Sequence, residues 1–529
     1  MASHFKWYPS DEEVVVPWNA RYSFPSQANK AVKLTPRIPP KSGNDFNPGQ
    51  VIRLEFPAQG YVNPQNTTLE FDVILSSDSG GTTYSQVRFQ NNIQSIFSRV
   101  RLLYGATPIE DIINYNTIVR ALTEWTATNQ VGTMDQTGIA EGIGGVTVGT
   151  DGSATKNFGL VNVRQAYIQG IDNSGGTGAA SGFGQAGTKF GTVYKQRRYQ
   201  VSFALGLFTQ SKLIPTKFMA SQLAIELTLE SAAGCMISIV GTSVGTTAAT
   251  YSLTNVNLIP EILEFDASYD AMFLKGLREG GVPIKFSSWH TYIFATGNNS
   301  NLNLQIQERS RSVKALFAVQ RKGTATMYTD SHATLFSSGG TLQNYQFRIG
   351  GRYYPAAPVQ CAQSIGSSVP NGAAEAYVEL QKALNQVGDY RLSTSCNPTR
   401  WGLVPFSSAV GSLLNATTVS DLDYAIDITT FDGTTCIPTA IAVTDVQNGT
   451  IANSSPFSGS VGSACFAMAI DLETSNGVEI SGLNAEEQSD ISLLVQYSSP
   501  QLASNVVEVY AYYDSMIILR ENNVLELIQ

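Results

Sequence analysis

The sequence predicts an all-β chain folded as two jelly-roll barrels in tandem, with a few short helices and long Gly/Ser-rich loops. Three observations lead there. Runs of apolar/polar alternation recur from residue 50 to the C-terminus, bounded by Gly, Pro and Asn, the pattern of half-buried strands. The segment LEFDASYDAMFL from Leu263 is echoed by VEVYAYYDSMII from Val507. Glu264, Ala267, Tyr269, Asp270 and Met272 match Glu508, Ala511, Tyr513, Asp514 and Met516. The two halves also keep one order of features: alternating strands, an amphipathic helix, Gly/Ser-rich loops and two closing strands. Each half has roughly 230 residues, the size of an eight-stranded barrel of two packed Greek-key sheets. Immunoglobulin-type sandwiches are shorter per unit.

Residues 1–48 read as an extended arm. Between Val14 and Asn44 there is no acidic residue, but there are Arg21, Lys30, Lys33, Arg37 and Lys41, punctuated by Pro17, Pro25, Pro36, Pro39 and Pro40. Proline removes backbone donors and breaks regular structure. The first barrel is expected over 49–266. Ile52, Leu54 and Phe56 alternate with Val51, Arg53 and Glu55; Leu69, Phe71 and Val73 alternate with Glu70 and Asp72; SRVRLLYG closes a strand at Gly105. Thr107, Pro108 and Glu110 then carry a capping-box signal. It predicts a helix that places Ile112, Tyr115, Val119 and Leu122 on one face. Residues 130–191 are glycine-rich excursions. GIGGVTVG in that stretch does not complete GxGxxG and is not framed by a strand and a helix, which excludes a dinucleotide site.

Strands resume with YQVSFALGLF, SQLAIELTLES and LIPEILEFDASYD. Residues 267–281 form a linker, with Asp266 as the cap of a short helix. The second barrel is expected over 282–529. Its opening IKF resembles LEF at 54–56, and NLNLQIQE, RSVKALFAVQRK and YQFRIGG alternate as before. A second helix places Tyr377, Leu380, Leu384 and Val387 on one face and stops at Gly388.

Charged residues make up only 14% of the chain and the net charge is −9. The charge excludes a nucleic-acid sheath, which needs many cations to displace counterions from phosphates. The low charge content, against about 25% in ordinary soluble chains, fits flanks covered by other subunits and equally a neutral, Ser/Thr-rich surface of a β protein. Cys235, Cys361, Cys396, Cys436 and Cys465 show no CxxC spacing and read as free thiols of a reducing compartment. The N-terminal MASHFKWYPSDEE has no signal-peptide pattern, and no stretch has the roughly 20 apolar residues of a membrane span.

Catalytic chemistry is not written here. A metal cupin needs clustered His and carboxylate ligands. The three histidines are His4 in the arm, His290 within a strand, and His332 with only Asp330 near it. Glu486–Glu487 reads as a solvated loop, and no HExxH or P-loop is present. No catalytic, cofactor or metal residue is therefore assigned, and no cofactor is implied. The alternative to a structural protein is a jelly-roll lectin or a receptor-binding viral surface protein, with Tyr353 and Tyr354 as loop aromatics for stacking on sugars.

FQNNIQSIFSRVRLLYGATPIEDIINYNTIVRAL at 89–122 and GGVPIKFSSWHTYIF at 280–294 resemble major capsid proteins of tailless icosahedral double-stranded DNA viruses, in particular those of virophages and Polinton-like viruses. The resemblance runs from about residue 45 to the C-terminus. It implies a double jelly roll that forms homotrimers, pseudo-hexagonal capsomers tiling an icosahedral shell. The implied partners are further copies of the chain, a penton protein at the fivefold vertices and minor capsid proteins. The basic arm would contact an internal membrane or the genome without sequence-specific nucleic-acid binding. The implied location is the virion, assembled inside the host cell without secretion.

Overall fold

The computed structural model describes residues 31–77, 85–89, 93–126, 143–146, 161–166, 196–240, 243–244, 249–322, 342–361, 374–385, 466–473, 481–486, 490–498, 500–501, 505–520 and 525–529. The barrel strands of the first half are β1 Ala31–Leu34, β2 Val51–Glu55, β3 Tyr61–Ser77, β4 Phe97–Tyr104, β5 Thr107–Ile113, β6 Gln196–Ser202, β7 Leu223–Leu229 and β8 Ala249–Phe265. Those of the second half are β9 Val282–Ala295, β10 Asn301–Ile306, β11 Val313–Lys322, β12 Leu342–Ile349, β13 Arg352–Gln360, β14 Met468–Asp471, β15 Ile491–Tyr497 and β16 Asn505–Leu519. A last strand, β17 Leu525–Ile528, pairs with β16.

The barrel strands of the first half form two sheets, of order β1-β8-β3-β6 and β2-β7-β4-β5. The second forms β9-β16-β11-β14 and β10-β15-β12-β13. Adding eight to every label of the first half gives the second. This interleaved antiparallel order, in which first and last strands are neighbours, is that of a jelly roll, and the chain writes it twice. Within each barrel the apolar side chains of both sheets face one another. Leu69, Phe71 and Val73 on β3 meet Ile52 and Leu54 of β2 and Ile225 and Leu227 of β7 in one buried core. Leu493, Val495 and Tyr497 on β15 do the same in the second barrel.

Helix α1 spans Tyr115–Thr126 and buries Tyr115, Ile118, Val119 and Trp125 along one face. Helix α2, Ala267–Glu279, joins β8 to β9. The Asp266 carboxylate accepts from the Tyr269 N–H at its start. Helix α3 spans Ala374–Ala383. No helix among the described residues is long and apolar enough to cross a membrane.

Four sequence expectations are corrected. The stretch read as an arm is, from Ala31, the edge strand β1, paired with β8 from Ala31↔Phe265 to Leu34↔Ile262. Lys33, Arg37 and Lys41 bind Glu261, Glu70 and Glu55 of the barrel. All four β1 residues are exposed, so no period-two signal marked it.

Thr107–Ile113 is strand, not the first turns of a helix. Gly105 (φ 61°) reverses the chain, and Tyr104↔Thr107 to Arg99↔Ile113 pair in a hairpin. That ladder overrides the local capping signal, and the helix begins only after Asn114.

The echo at 263 and 507 stays in strand only over its first residues, as the expected Asp266-capped helical linker requires. Tyr269, Asp270 and Met272 lie on α2, whereas Tyr513, Asp514 and Met516 lie on β16. Likewise, IKF sits in β9, whose counterpart is β1, while LEF begins in β2. Strands with one buried face reuse the same few residue types, so short matches arise out of register.

Helix α3 ends at Ala383. Asn385, in the left-handed region at φ 55°, terminates it instead of Gly388. Val387 and Gly388 lie outside the described residues.

Candidate functional site: the joint between the barrels

β5 and β9 run side by side where the barrels meet. The Glu110 carboxylate accepts from the Ser288 hydroxyl at 2.7 Å and from the backbone N–H groups of Gly206 and Leu207, each at 2.8 Å. Three residues on, the Thr291 hydroxyl donates to the Ile113 carbonyl at 2.8 Å. The Gln529 amide donates to the Ile109 carbonyl at 3.2 Å. The hairpin bulge between Leu102 and Leu103 puts both Ile109 and Glu110 inward, and the second of these inward positions carries the carboxylate.

Beyond β5, α1 lies across the outer face of the sheet β9-β16-β11-β14. The registers Glu508↔Val319, Tyr510↔Phe317 and Tyr512↔Trp289 put these residues on that face, with Arg321. The Trp125 ring stacks on Phe317 with centroids 5.3 Å apart, and Trp289 lies 5.6 Å from Phe317 and 4.5 Å from Tyr512. The Glu508 carboxylate, fully buried, accepts from the Arg321 guanidinium, the Tyr510 hydroxyl and the Asn114 amide. Asn114 precedes α1 with φ 54°, a conformation that Asn tolerates better than most residues. Its backbone carbonyl accepts from Thr117 and Ile118 while its amide crosses to the other barrel.

The two buried acids are held differently. Burial pushes the Glu110 carboxyl above its ordinary range, opposed by its three hydrogen-bond donors. Burial works against the charge on Arg321 as well, but the Glu508 carboxylate outweighs it and leaves the guanidinium raised. A buried ion pair of this kind is worth most as a constraint on geometry, because desolvation consumes much of its Coulomb energy. The joint holds two barrels at one fixed relation; its carboxylates are saturated by protein donors rather than turned toward solvent.

His290 stacks on Tyr513 at 4.1 Å, and its Nδ1 lies 3.0 Å from the Glu308 carboxylate. Burial drives the Glu308 carboxyl up, but His290 and Ser310 more than reverse this and hold it low. Tyr353 and Tyr354 lie on strand β13 rather than a loop, Tyr353 exposed and Tyr354 partly buried. Glu486 pairs with Arg311 at 2.8 Å. His4, Asp330, His332, Glu487, Cys396, Cys436 and Cys465 lie outside the described residues. Cys235 and Cys361 are buried free thiols, raised by burial. The sequence was read as holding no GxSxG, but Gly241-Thr242-Ser243-Val244-Gly245 has that spacing. Its Ser243–Val244 forms a short strand paired with Ile239 and Val240, not the strand-to-helix elbow that exposes a nucleophile. Sequence reading also missed the joint's acids, because their partners are far away along the chain.

No protein-family model and no curated protein sequence matches this chain. Solved structures do. A structure of the Sputnik virophage matches with a TM-score of 0.51 at 11% identity, covering 98% of this chain and 92% of that one. The PBCV-1 virus capsid matches with a TM-score of 0.50 at 10% identity, covering 96% and 99%. PBCV-1 VP54, fitted into a reconstruction of the virophage Sputnik, matches with a TM-score of 0.50 at 9% identity over the same shares. At such identity the likeness is one of fold. The fold is the double jelly roll found in viral major capsid proteins.

Proposed function

We propose that this chain is a major capsid protein, a structural block of an icosahedral viral shell that works by binding copies of itself. The carrying observation is the strand order written twice in one chain, over nearly the full length of both this protein and the Sputnik and PBCV-1 capsid structures. A chain with two similar barrels lets three copies present six, so a threefold block fills a sixfold position. In this reading the chain trimerises, the trimers tile as pseudo-hexagonal capsomers, and a penton protein with minor capsid proteins closes the shell. It resides in the virion and carries out no catalysis. The first barrel takes in β1 and so begins before residue 49.

The basic arm has less charge to offer a membrane or genome than its composition implies. Lys33, Arg37 and Lys41 are matched by Glu261, Glu70 and Glu55, which leaves that contact to Lys6, Arg21 and Lys30.

The test is the mass and shape of the purified chain. Light scattering should give three times the 56.9 kDa of one chain, and negative-stain images should show hexagonal blocks. A chain that stays monomeric at every concentration tested would sink the proposal.

A further inference from the structure

The contact inside the chain has an unused twin. β5 is the end strand of β2-β7-β4-β5, and β9 is the end strand of β9-β16-β11-β14. The joint between barrels is the packing of these two edges. In the repeated strand order the counterpart of β5 is β13, and the counterpart of β9 is β1. Both are also end strands of their sheets, in β10-β15-β12-β13 and β1-β8-β3-β6. They belong to opposite barrels in the wrong order to repeat the joint within one chain.

Both are open. β1 is exposed at all four positions, with Val32 58% and Leu34 37% exposed. β13 is exposed at Arg352, Tyr353, Ala356, Ala357, Pro358 and Gln360, with Tyr353 49% exposed. Their contact-ready side chains are mostly uncharged, and Lys33, the one cation of β1, is tied to Glu261 at 2.5 Å. By contrast, β5 buries Ile109, Glu110 and Ile112 beside the other barrel.

We infer that β13 of one copy packs against β1 of the next, repeating between chains the joint that β5 and β9 make within one. The inference rests on the self-assembly reading above and names the surface it uses. The two surfaces differ, so the contact is head-to-tail, the type that closes into a ring when its rotation allows. It is made by side chains, not by extending a sheet. Pro108 on β5, and Pro355 and Pro358 on β13, lack the N–H that a strand must donate to a new neighbour. The same device therefore guards both edge strands.

The experiment uses the full chain with Val32→Glu, Tyr353→Lys, and both together. Each single substitution should raise the concentration needed for trimer formation, read by light scattering, at least about tenfold, as a charge in an interface core does. Circular dichroism and thermal unfolding of the separated chains should match the wild type. The combined variant should recover part of the loss at low salt, because it places opposite charges on the two sides of the contact. Met272→Glu, at an exposed position on α2, should leave assembly unchanged. If the wild type forms trimers and both single variants do so equally well, this inference is overturned and self-assembly stands. If the wild type never assembles, both fall.

Discussion

Gly206 lies so close to Ser287 that a Cβ at position 206 would sit 2.0 Å from the Ser287 carbonyl oxygen. The turn carrying Gly206 also donates two N–H groups to Glu110, so the close approach and the buried acid belong to one joint. Gly206→Ala should force β9 away and cost about 3 kcal/mol or more, at the upper end of overpacking effects. Gly276→Ala is the control. It sits within α2 with its nearest neighbour, Val282, at 4.0 Å, and should gain about 0.5–1 kcal/mol from helix propensity. Denaturant unfolding distinguishes them, and equal effects would contradict the tight joint.

Trp125 anchors α1 on the second barrel through Phe317. Trp125→Ala should cost about 3–5 kcal/mol, the range for deleting a buried large aromatic. The same substitution should make the chain between the barrels more sensitive to limited proteolysis. A loss below about 1 kcal/mol would mean the ring is not an anchor.

Glu508 and Arg321 should behave as a unit. Removing one partner, as in Glu508→Gln or Arg321→Met, leaves a buried group uncompensated and should cost about 3–5 kcal/mol. Glu508→Leu combined with Arg321→Met should cost less than either single change. A double-mutant cycle with no coupling would refute this.

Glu110 and Glu308 should give opposite pH dependences. The folded Glu110 carboxyl is raised, so its contribution is fully present below the unfolded value of about 4.3 and is lost as pH rises through the folded value. The folded Glu308 carboxyl is lowered, so its contribution is present above the unfolded value and is lost as pH falls through the folded one. Urea unfolding between about pH 2 and 8 should show Glu110→Gln gaining on the wild type as pH rises. Glu308→Gln should gain as pH falls. The slopes carry the test, since either amide also changes hydrogen bonding; curves parallel to the wild type would contradict it.

Lys33 and Arg37 pair with Glu261 and Glu70 from largely exposed positions. Lys33→Ala and Arg37→Ala should each change stability by no more than about 1 kcal/mol, and less at high salt. A larger, salt-insensitive loss would show that these pairs hold the edge strand in place.

Much of the fold was legible because its strands bury one face. β2, β3 and β4 announce themselves through Ile52, Leu54, Leu69, Phe71, Val100 and Leu102 at every second position. β1 was not legible: none of its four residues is buried, and its Lys and the prolines around it look like a tail. β5 was misread because Thr107, Pro108 and Glu110 make a good local cap, and only pairing with β4 decides otherwise. The joint was out of reach. Glu110 finds Gly206, Leu207 and Ser288, and nothing at those positions marks them as partners before the chain folds. Duplication was read correctly from the order of features, and the echo at 263 and 507 parts into helix and strand only after Asp266, where the linker was expected.

The missing donors at Pro355 and Pro358 matter most when copies are crowded. In the proposed shell role many copies would accumulate together, and high concentration is the condition under which an open strand rim seeds cross-β fibres. The gaps at Pro355 and Pro358 deny crowded molecules a continuous ladder along β13 to zip onto.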